Sequence, residues 1–516
     1  MPSSLAKDFY IWLFLQQQDT TEQEAKIAFD QVRNKNRANI QRAYLQKVDD
    51  IELAFQRQCR AMDALALTNA SKECIKEGFT VLKAVQADDA QLRSLLNKIT
   101  NAKDKRVIEA VLSQNSFEAI IDDPSTFYAL YNSSGNAYRT KHLNHKASQS
   151  QIERLAANAS FNTTILHTVL SANMDNMQRS LLFKFDSSAL DATANFFLGI
   201  NAMQHQKPEL AMHYFAIAKE EFYYRFDKDR ATFWLYLASE DESYLQELLS
   251  SRDLNIFTIY AKKHFDQPID SYVHINSLGN KAVDYDHTSP IDWFNTLQKV
   301  RDADKDGLRN LANMFKSDHT VGEYTFIKSR YHGFSKHYFP TPFLSELAQA
   351  YSREDLALLY AIIRQESRFI PASISTSFAL GKTQVMPFLV RAIAEERGED
   401  IALTDMFEPK RSIEYGLHQI DFLKRSLYHP LLVAYGYNGG IGFTQRKILQ
   451  QGLFENDGAY EPWLSMELVP YSESRHYGKV VLANYYVYLD ILDKKEELDN
   501  LLNPLVDGTK IDRWRR

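Results

Sequence analysis

The sequence has little of several features that mark common classes of protein. Its 516 residues contain only two cysteines and no Cys/His cluster at the spacing of a metal site. It has no glycine-rich loop of the kind that binds nucleotide phosphates. The formal net charge of -6 gives neither a basic nucleic-acid footprint nor a polybasic membrane patch. We therefore expect no metal, no cofactor and no nucleic-acid partner.

Long apolar runs are also missing. The stretch 9–15 is too short to span a membrane and three glutamines follow it, so no transmembrane segment is predicted. A secretory signal would need a longer apolar core and a small-residue cleavage site, and neither is present.

Proline and glycine are scarce in the first part of the chain. The first 200 residues hold only Pro2 and Pro124, whereas 11 of the 18 glycines lie after residue 334. This distribution predicts long helices first and a region with longer loops last. Small and aromatic residues recur at helical intervals in 190–199, 211–219 and 230–238, which is typical of an α-solenoid of helix pairs. A solenoid alone is most often a binding scaffold, and the length of the chain predicts two or three domains.

A short amphipathic helix is predicted to end at Glu366. Ser352, with Asp355 three residues later, resembles a capping box and marks its start. Apolar residues then recur at helical spacing: Leu356, Leu359 and Ile363. Glu366 falls on the edge of this stripe, where lost hydration and the negative end of the helix dipole both raise a carboxyl pKa. Such a group suits a general acid near neutral pH; the alternative is an ordinary helix-end glutamate.

Three further sequence blocks follow Glu366-Ser367. They are 373–387, ending Gly-Lys-Thr-Gln-Val-Met-Pro; 434–442, Ala-Tyr-Gly-Tyr-Asn-Gly-Gly-Ile-Gly; and 469–477, Val-Pro-Tyr-Ser-Glu-Ser-Arg-His-Tyr. In order and spacing the four blocks resemble the catalytic domain of the soluble lytic transglycosylases, the periplasmic murein-cleaving enzymes with a goose-lysozyme-like fold. The family pattern is Glu-Ser, Gly-Leu-Met-Gln-(Ile/Val)-Met-Pro, Ala-Tyr-Asn-x-Gly and Glu-Thr-Arg-x-Tyr.

The resemblance implies a mainly α protein of three domains. These are an N-terminal α-superhelical, U-shaped solenoid at 1–261, a small helical linker domain at 262–335, and a lysozyme-like α+β (mostly α) catalytic domain at 336–516. It also implies a periplasmic protein, in a mature form whose export signal has been removed, that acts on peptidoglycan glycan strands. Partners from cell-wall synthesis or the divisome are left open.

The resemblance further implies a reaction with one carboxyl group and no cofactor. Glu366 would protonate the β-1,4 glycosidic oxygen between N-acetylmuramic acid and N-acetylglucosamine. As a carboxylate it would then take the proton of the muramyl 6-hydroxyl, giving a 1,6-anhydromuramyl end without water.

The family motif also supplies candidate substrate-binding residues. Carried over position by position, they are Ser367, Ser375, Gln384, Met386, Tyr437, Asn438, Glu473 and Tyr477. Ser375 would lie near the muramyl N-acetyl group, and Tyr437 could orient the carboxyl group. Capping, core packing or a plain surface turn are the structural alternatives for Ser367, Met386 and the glycines beside Asn438.

The chain departs from the family pattern at four positions. Lys382 and Thr383 replace Leu-Met, Phe378 stands where glycine is common, and Gly436 stands where alanine is. We expect Lys382 either to contact an anionic lactyl or peptide carboxylate or to be a solvated lysine.

Two other functions remain open at this point. A muramidase of goose-lysozyme type would need a base for water, for which Glu473, Glu461 or Asp421 are nominal candidates. A murein-binding scaffold without turnover is the other alternative.

Cys59 and Cys74 flank 66–71, which is predicted to be the turn of a helical hairpin. In the periplasm that the resemblance implies, they would form either a disulfide or two buried free thiols. A disulfide closing a loop of about 15 residues would stabilise the fold by roughly 3 kcal/mol.

Overall fold

The structure is a computed structural model that describes residues 3–279, 284–455 and 458–507. The described residues form two compact units, one of residues 48–248 and one of residues 1–47 together with 249–516. Both units are built almost entirely of helices, so the prediction of a mainly α protein is confirmed. The three domain limits given above stay a prediction.

The first part of the chain is a series of helices joined by short connections. Up to residue 61 they are α1 (Leu5–Phe14), α2 (Glu22–Asp30), α3 (Ala38–Leu45) and α4 (Ile51–Ala61). Up to residue 156 they are α5 (Ala64–Thr68), α6 (Lys72–Gly78), α7 (Val81–Ala84), α8 (Asp89–Lys98), α9 (Ala102–Leu112), α10 (Ser116–Ile120), α11 (Pro124–Ser133), α12 (Asn136–Tyr138) and α13 (Gln149–Ala156).

The middle of the chain is again helical. They are α14 (Phe161–Val169), α15 (Asp175–Ser180), α16 (Ala192–Gln204), α17 (Pro208–Glu221), α18 (Arg225–Ser239), α19 (Ser243–Leu249) and α20 (Ile256–His264). The elements that follow are β1 (Tyr272–Ile275), α21 (Pro290–Asp302), α22 (Lys305–Met314), α23 (Val321–Tyr331) and β2 (His337–Pro340).

The last part carries the four sequence blocks. Its helices are α24 (Leu344–Leu347), α25 (Arg353–Glu366), α26 (Pro387–Arg397), α27 (Pro409–Lys424), α28 (Pro430–Gly439), α29 (Ile441–Phe443), α30 (Trp463–Leu468), α31 (Ser472–Ile491) and α32 (Leu498–Leu502).

Within the unit of residues 48–248, the long helices from α16 to α18 pack on their neighbours in the chain. α16 lies against α17, and α17 lies against α18. Gly199 faces the ring of Phe215 so closely that a Cβ atom would overlap the ring. The ring centroids of Phe196 and Phe215 are 5.3 Å apart, and those of Phe215 and Trp234 are 5.8 Å apart. The small and aromatic residues in the sequence therefore form the contacts between successive helices.

The two cysteines lie in this unit. Cys59 in α4 and Cys74 in α6 form a disulfide, with their Cα atoms 5.1 Å apart. The segment between them is only partly the turn that the sequence predicted, since α5 (Ala64–Thr68) begins there behind its N-cap Asp63.

The other unit is organised around α31, a helix of 20 residues. Both α25 and α28 pack on it. Gly478 faces the ring of Tyr435 on α28, where a Cβ atom would overlap the ring. Strand β1 pairs in parallel with β2, with Tyr272 opposite His337. The hydroxyl of Tyr488 on α31 donates to the Pro340 carbonyl at 3.1 Å, which ties the end of β2 to the helix core.

The N-terminal helix α1 packs against the sequence block that follows Glu366. The ring of Phe9 lies 5.5 Å from that of Phe378, and the ring of Trp12 lies 5.4 Å from Phe378. The guanidinium group of Arg37 stacks over the same phenylalanine, 5.0 Å from the ring centroid. Phe378 is therefore buried by residues more than 300 positions away in the sequence, which local periodicity could not indicate.

Among the residues that the structure describes, no helix is both long enough and apolar enough to cross a membrane.

Candidate active site

Glu366 is the last residue of α25. The helix begins as the sequence predicted, because the Asp355 N–H donates to the Ser352 hydroxyl at 3.1 Å. Its residues from Leu356 to Ile363 are all buried, and Glu366 emerges half-buried at the end. Burial raises the pKa of the Glu366 carboxyl to about 7, the Tyr477 hydroxyl partly opposes this, and the charge of Glu473 adds to it.

Among the described residues, Tyr477 forms a hydrogen bond with this carboxyl group. Its hydroxyl donates to Glu366 Oε1 at 2.7 Å from the first half of α31. Because its side chain is almost fully buried, the ring cannot leave this position without opening the contact between α25 and α31. Burial, followed by the charge of Glu366, raises the pKa of Tyr477 well above its ordinary value, so the hydroxyl stays a donor.

The turn 381–384 anchors two more residues beside Glu366. The Ser367 hydroxyl donates to the Lys382 carbonyl at 2.7 Å, and the Tyr437 hydroxyl donates to the Thr383 carbonyl at 2.7 Å. Two consecutive carbonyl groups therefore fix the residue after Glu366 and the tyrosine of the third block. The charge of Glu366 raises the pKa of Tyr437, after the larger effect of burial, so the two groups interact. Tyr477, and not Tyr437, makes the hydrogen bond that orients the carboxyl.

Gln384 closes the same turn. Its amide nitrogen donates to the Gly381 carbonyl at 2.7 Å and to the Ser373 carbonyl at 3.1 Å. Gln384 has a φ of 50° and Gly381 a φ of 76°, both in the left-handed region. At Gly381 a Cβ atom would also overlap the Met406 carbonyl, so only glycine fits.

Two of the expected substrate-binding residues lie at the edges of this turn. The Ser375 hydroxyl accepts hydrogen bonds from the N–H groups of Ser377 at 3.2 Å and Ala379 at 3.0 Å, which holds its own loop. Met386 is half-buried and forms the N-cap position of α26. In the described part of the chain, neither residue forms a hydrogen bond with Glu366.

Asn438 and Glu473 contact each other across the third and fourth blocks. The Asn438 amide donates to Glu473 Oε1 at 3.3 Å, and the Ser474 hydroxyl donates to Asn438 Oδ1 at 2.7 Å. Glu473 is exposed in the first turn of α31. It acts on Glu366 through its charge, as described above.

Both expectations for Lys382 are wrong. Its side chain is completely buried, so it is neither solvated nor available to an anionic group of a substrate. The physical reason is that it extends from the turn into the interior, with Nζ 5.4 Å from the centroid of the Phe343 ring.

Sequence reasoning also missed the partners of Thr383. Its hydroxyl donates to the Ser412 carbonyl at 2.8 Å, and its N–H donates to the Ser412 hydroxyl at 3.1 Å. A polar residue at a position that is usually apolar was the available signal, since a buried hydroxyl needs a partner.

The described residues contain no group of three or more His, Cys, Asp or Glu side chains that could hold a metal ion. What they bring together is one half-buried carboxyl group, two tyrosine hydroxyls and a closely packed turn.

The chain is therefore a mainly α protein whose site is centred on a single carboxyl group at a helix end. Residues 343–458 match the family model described as the transglycosylase SLT domain. That range holds Glu366, the turn 381–384 and Tyr437, while Glu473 and Tyr477 lie beyond it. This match supports a lytic transglycosylase domain, which acts on peptidoglycan, in this part of the chain.

Similar solved structures come from two bacteria. The 70 kDa soluble lytic transglycosylase of Escherichia coli is 16% identical, with 92% of this chain and 80% of that chain covered and a TM-score of 0.50. Its complex with bulgecin A is 15% identical, with coverages of 95% and 86% and a TM-score of 0.49. The lytic transglycosylase Slt of Pseudomonas aeruginosa, in an inactive mutant form, is 14% identical, with coverages of 98% and 83% and a TM-score of 0.49.

Because the Escherichia coli enzyme is only 16% identical to this chain, its similarity supports the fold alone. A search of curated protein sequences gives no match.

Proposed function

We propose that Glu366 is the single acid–base residue of a lytic transglycosylase that cleaves the β-1,4 bond between N-acetylmuramic acid and N-acetylglucosamine. The observation that carries this proposal is a half-buried carboxyl group whose pKa is raised to about 7 and whose orientation is fixed by Tyr477. Near neutral pH such a group exists in both protonation states, so it can first donate a proton and then accept one.

In the first step the proton of Glu366 moves to the glycosidic oxygen, and the bond from that oxygen to the muramyl C1 breaks. The muramyl 2-acetamido group stabilises the positive charge that develops at C1. In the second step the muramyl 6-oxygen bonds to C1 and its proton returns to Glu366. Atoms and charge balance without water, and the product is a 1,6-anhydromuramyl end.

The neighbours of Glu366 have effects that suit the two steps. Burial favours the neutral acid before the first step, while the Tyr477 hydroxyl stabilises the carboxylate formed by it. The two effects oppose each other and keep the pKa close to neutrality. Asn438 and the side-chain oxygen of Gln384 would contribute amide groups that sugars recognise, while Ser367 would hold the turn beside Glu366. Ser375, Met386, Tyr437 and Glu473 would line the binding site for the glycan strand, and the enzyme would work in the periplasm.

The test is to digest purified peptidoglycan with the protein and to weigh the released muropeptides. Products one water lighter than reducing muropeptides support the proposal. Reducing products, or no products at all, contradict it; in the second case retained binding would favour the scaffold.

One observation favours a hydrolytic muramidase as the second candidate. Glu473 lies close enough to Glu366 for its charge to raise the pKa of that group, so a second carboxylate is present at the site. Against this role, Glu473 already accepts a hydrogen bond from Asn438 at 3.3 Å. Of the other nominal bases, Glu461 accepts hydrogen bonds from Ser465 at 2.9 and 3.2 Å.

The variant Glu473→Gln separates the two candidates. A muramidase that uses Glu473 as its base would lose turnover by a factor of about 100 or more. A lytic transglycosylase would keep most of its turnover and the same anhydro products.

A further inference from the structure

A lysine buried behind the turn 381–384 is unexplained by the reaction. Lys382 has no exposed surface, and its Nζ has no hydrogen-bond partner in the part of the chain that the structure describes. Burying an ammonium group without an opposite charge or hydrogen-bond partner costs roughly several kcal/mol. A group of this kind persists only where something in the surrounding protein compensates for it.

A buried group of opposite charge, Glu323, lies on α23. It too has no exposed surface, and its Oε2 atom has no hydrogen-bond partner among the described residues. The Tyr285 hydroxyl lies 3.5 Å from the other oxygen, Oε1. Burial raises the pKa of Glu323 and lowers the pKa of Lys382, while the charge of each opposes this effect in the other. The charge of Glu323, and after it that of Asp318, favours the charged form of Lys382, so the buried lysine has acidic neighbours.

Helix α23 is packed tightly against the chain that follows Glu366. Gly322, next to Glu323, lies so close to the backbone of Phe369 and Ile370 that a Cβ atom would overlap it. The centroid of the Phe343 ring lies 5.4 Å from Lys382 Nζ and 5.4 Å from the ring of His319, which comes just before α23 in the chain. The end of α25, the start of α23 and the turn 381–384 thus meet around this pair.

The backbone of the same turn holds the residues around the carboxyl group. The carbonyl of Lys382 accepts the hydrogen bond from Ser367, and the next carbonyl accepts the one from Tyr437, each at 2.7 Å. A displacement of the Lys382 side chain moves these two acceptors, because they belong to its own and the following residue.

We propose that Lys382 and Glu323 are positioning residues, a buried acid–base pair that fixes the turn 381–384 and through it the placement of Ser367 and Tyr437 around Glu366. Glu323 lies outside the matched domain of residues 343–458, so this pair makes the site depend on the helix that precedes that domain. The inference rests on the proposed function for its catalytic readout.

The experiment is a double-mutant cycle with Lys382→Met, Glu323→Leu and the double variant. Each is measured for kcat and KM on a soluble peptidoglycan glycan oligomer and for its melting temperature. Each single variant leaves one buried ionisable group without the opposite charge, so we expect kcat to fall by about 10- to 100-fold, with a smaller change in KM. In the double variant two apolar side chains of similar volume replace the pair, so we expect most of kcat to return.

The control is Leu308→Ala, which removes a buried side chain from a core cluster of α22 and α23 that includes neither Lys382 nor Glu323. It should lower the melting temperature without changing kcat. If a single pair variant does not fold, Glu323→Gln keeps the shape, removes only the acid and carries the same test.

Three outcomes distinguish the explanations. Loss of kcat in the single variants with recovery in the double variant supports the proposal. Lower melting temperatures with unchanged kcat, or losses in kcat that simply add in the double variant, overturn it. If the wild-type protein shows no turnover, the proposed function fails instead, and the cycle in melting temperature still tests whether the two residues are coupled.

Discussion

Both compact units are helical, but they differ in which residues have a strained backbone conformation. In the described part of 48–248, the non-glycine residues with left-handed φ are Asn173, Gln206 and Glu240, all polar residues at helix ends or turns. In the other unit they include the aromatic residues Phe343, Phe369 and Phe378, together with Arg368 and Gln384. Most of these surround Glu366 and the turn 381–384.

This difference shows where the protein accepts strained conformations. A left-handed residue other than glycine costs about 1 kcal/mol or more, so it persists only where the surrounding packing determines it. Phe378 has a φ of 66° and no exposed surface, and it is enclosed by Phe9, Trp12 and Arg37. The family's usual glycine suits the backbone at this position, while the phenylalanine here adds a contact that joins α1 to the site.

The largest expected effect is on the site itself. Glu366→Gln keeps the shape of the side chain but removes its proton, so kcat should fall by about 1,000-fold or more while glycan binding remains. Steady-state turnover and binding of a glycan oligomer measure the two quantities. Appreciable turnover in this variant would mean that another residue is the acid.

The same variant should change the pH dependence of stability. The pKa of Glu366 is about 7 in the folded protein and 4.5 ordinarily, so its contribution to stability is lost as the pH rises through this range. Glu366→Gln should therefore raise the melting temperature at pH 8 relative to wild type, with little difference at pH 4. An equal effect at both pH values would show that the carboxyl group is not responsible.

The next effect concerns the strained aromatic residue. Phe378→Ala should lower the free energy of unfolding by about 3 kcal/mol, since it deletes a fully buried ring and leaves a left-handed alanine. Denaturant unfolding followed by tryptophan fluorescence measures this, because Trp12 contacts the ring at 5.4 Å. The control Phe422→Ala removes a ring that is 41% exposed and should cost much less. Equal losses in the free energy of unfolding would show that the buried, left-handed Phe378 contributes no more to stability than the partly exposed Phe422.

A comparable effect on stability is expected in the unit of residues 48–248, but without any effect on catalysis. The double variant Cys59→Ser/Cys74→Ser opens a covalent loop with a sequence separation of 15 residues. It should lower the free energy of unfolding by about 3 kcal/mol. Calorimetry and turnover well below the transition measure the two effects. A large fall in kcat would link this unit to the reaction.

The smallest effects are shifts of the pH–rate profile. The Tyr477 hydrogen bond lowers the pKa of Glu366 and the charge of Glu473 raises it. Tyr477→Phe should therefore move the alkaline limb of kcat to higher pH, and Glu473→Gln should move it to lower pH. Shifts in the same direction would contradict the assignment of Glu366 as the group that titrates.

The sequence predicted the features of the site that depend on residues close together in the chain. The start of α25 at Ser352, the apolar stripe and the half-buried position of Glu366 all follow from residues within 15 positions of each other. Lys382 and Phe378 were misjudged or left unexplained because their surroundings come from far away, from Glu323 and from α1. A departure from a family pattern shows that something has changed but does not identify the distant residue that accommodates it.

The central claim is that one carboxyl group, Glu366, serves both steps without water. The most direct test is to digest peptidoglycan in oxygen-labelled water with the wild-type protein and the Glu473→Gln variant, and to analyse the new muramyl ends by mass spectrometry. We expect unlabelled 1,6-anhydro ends from both proteins. Incorporation of the label at C1 of the muramyl residue would contradict the account and identify the enzyme as a hydrolase.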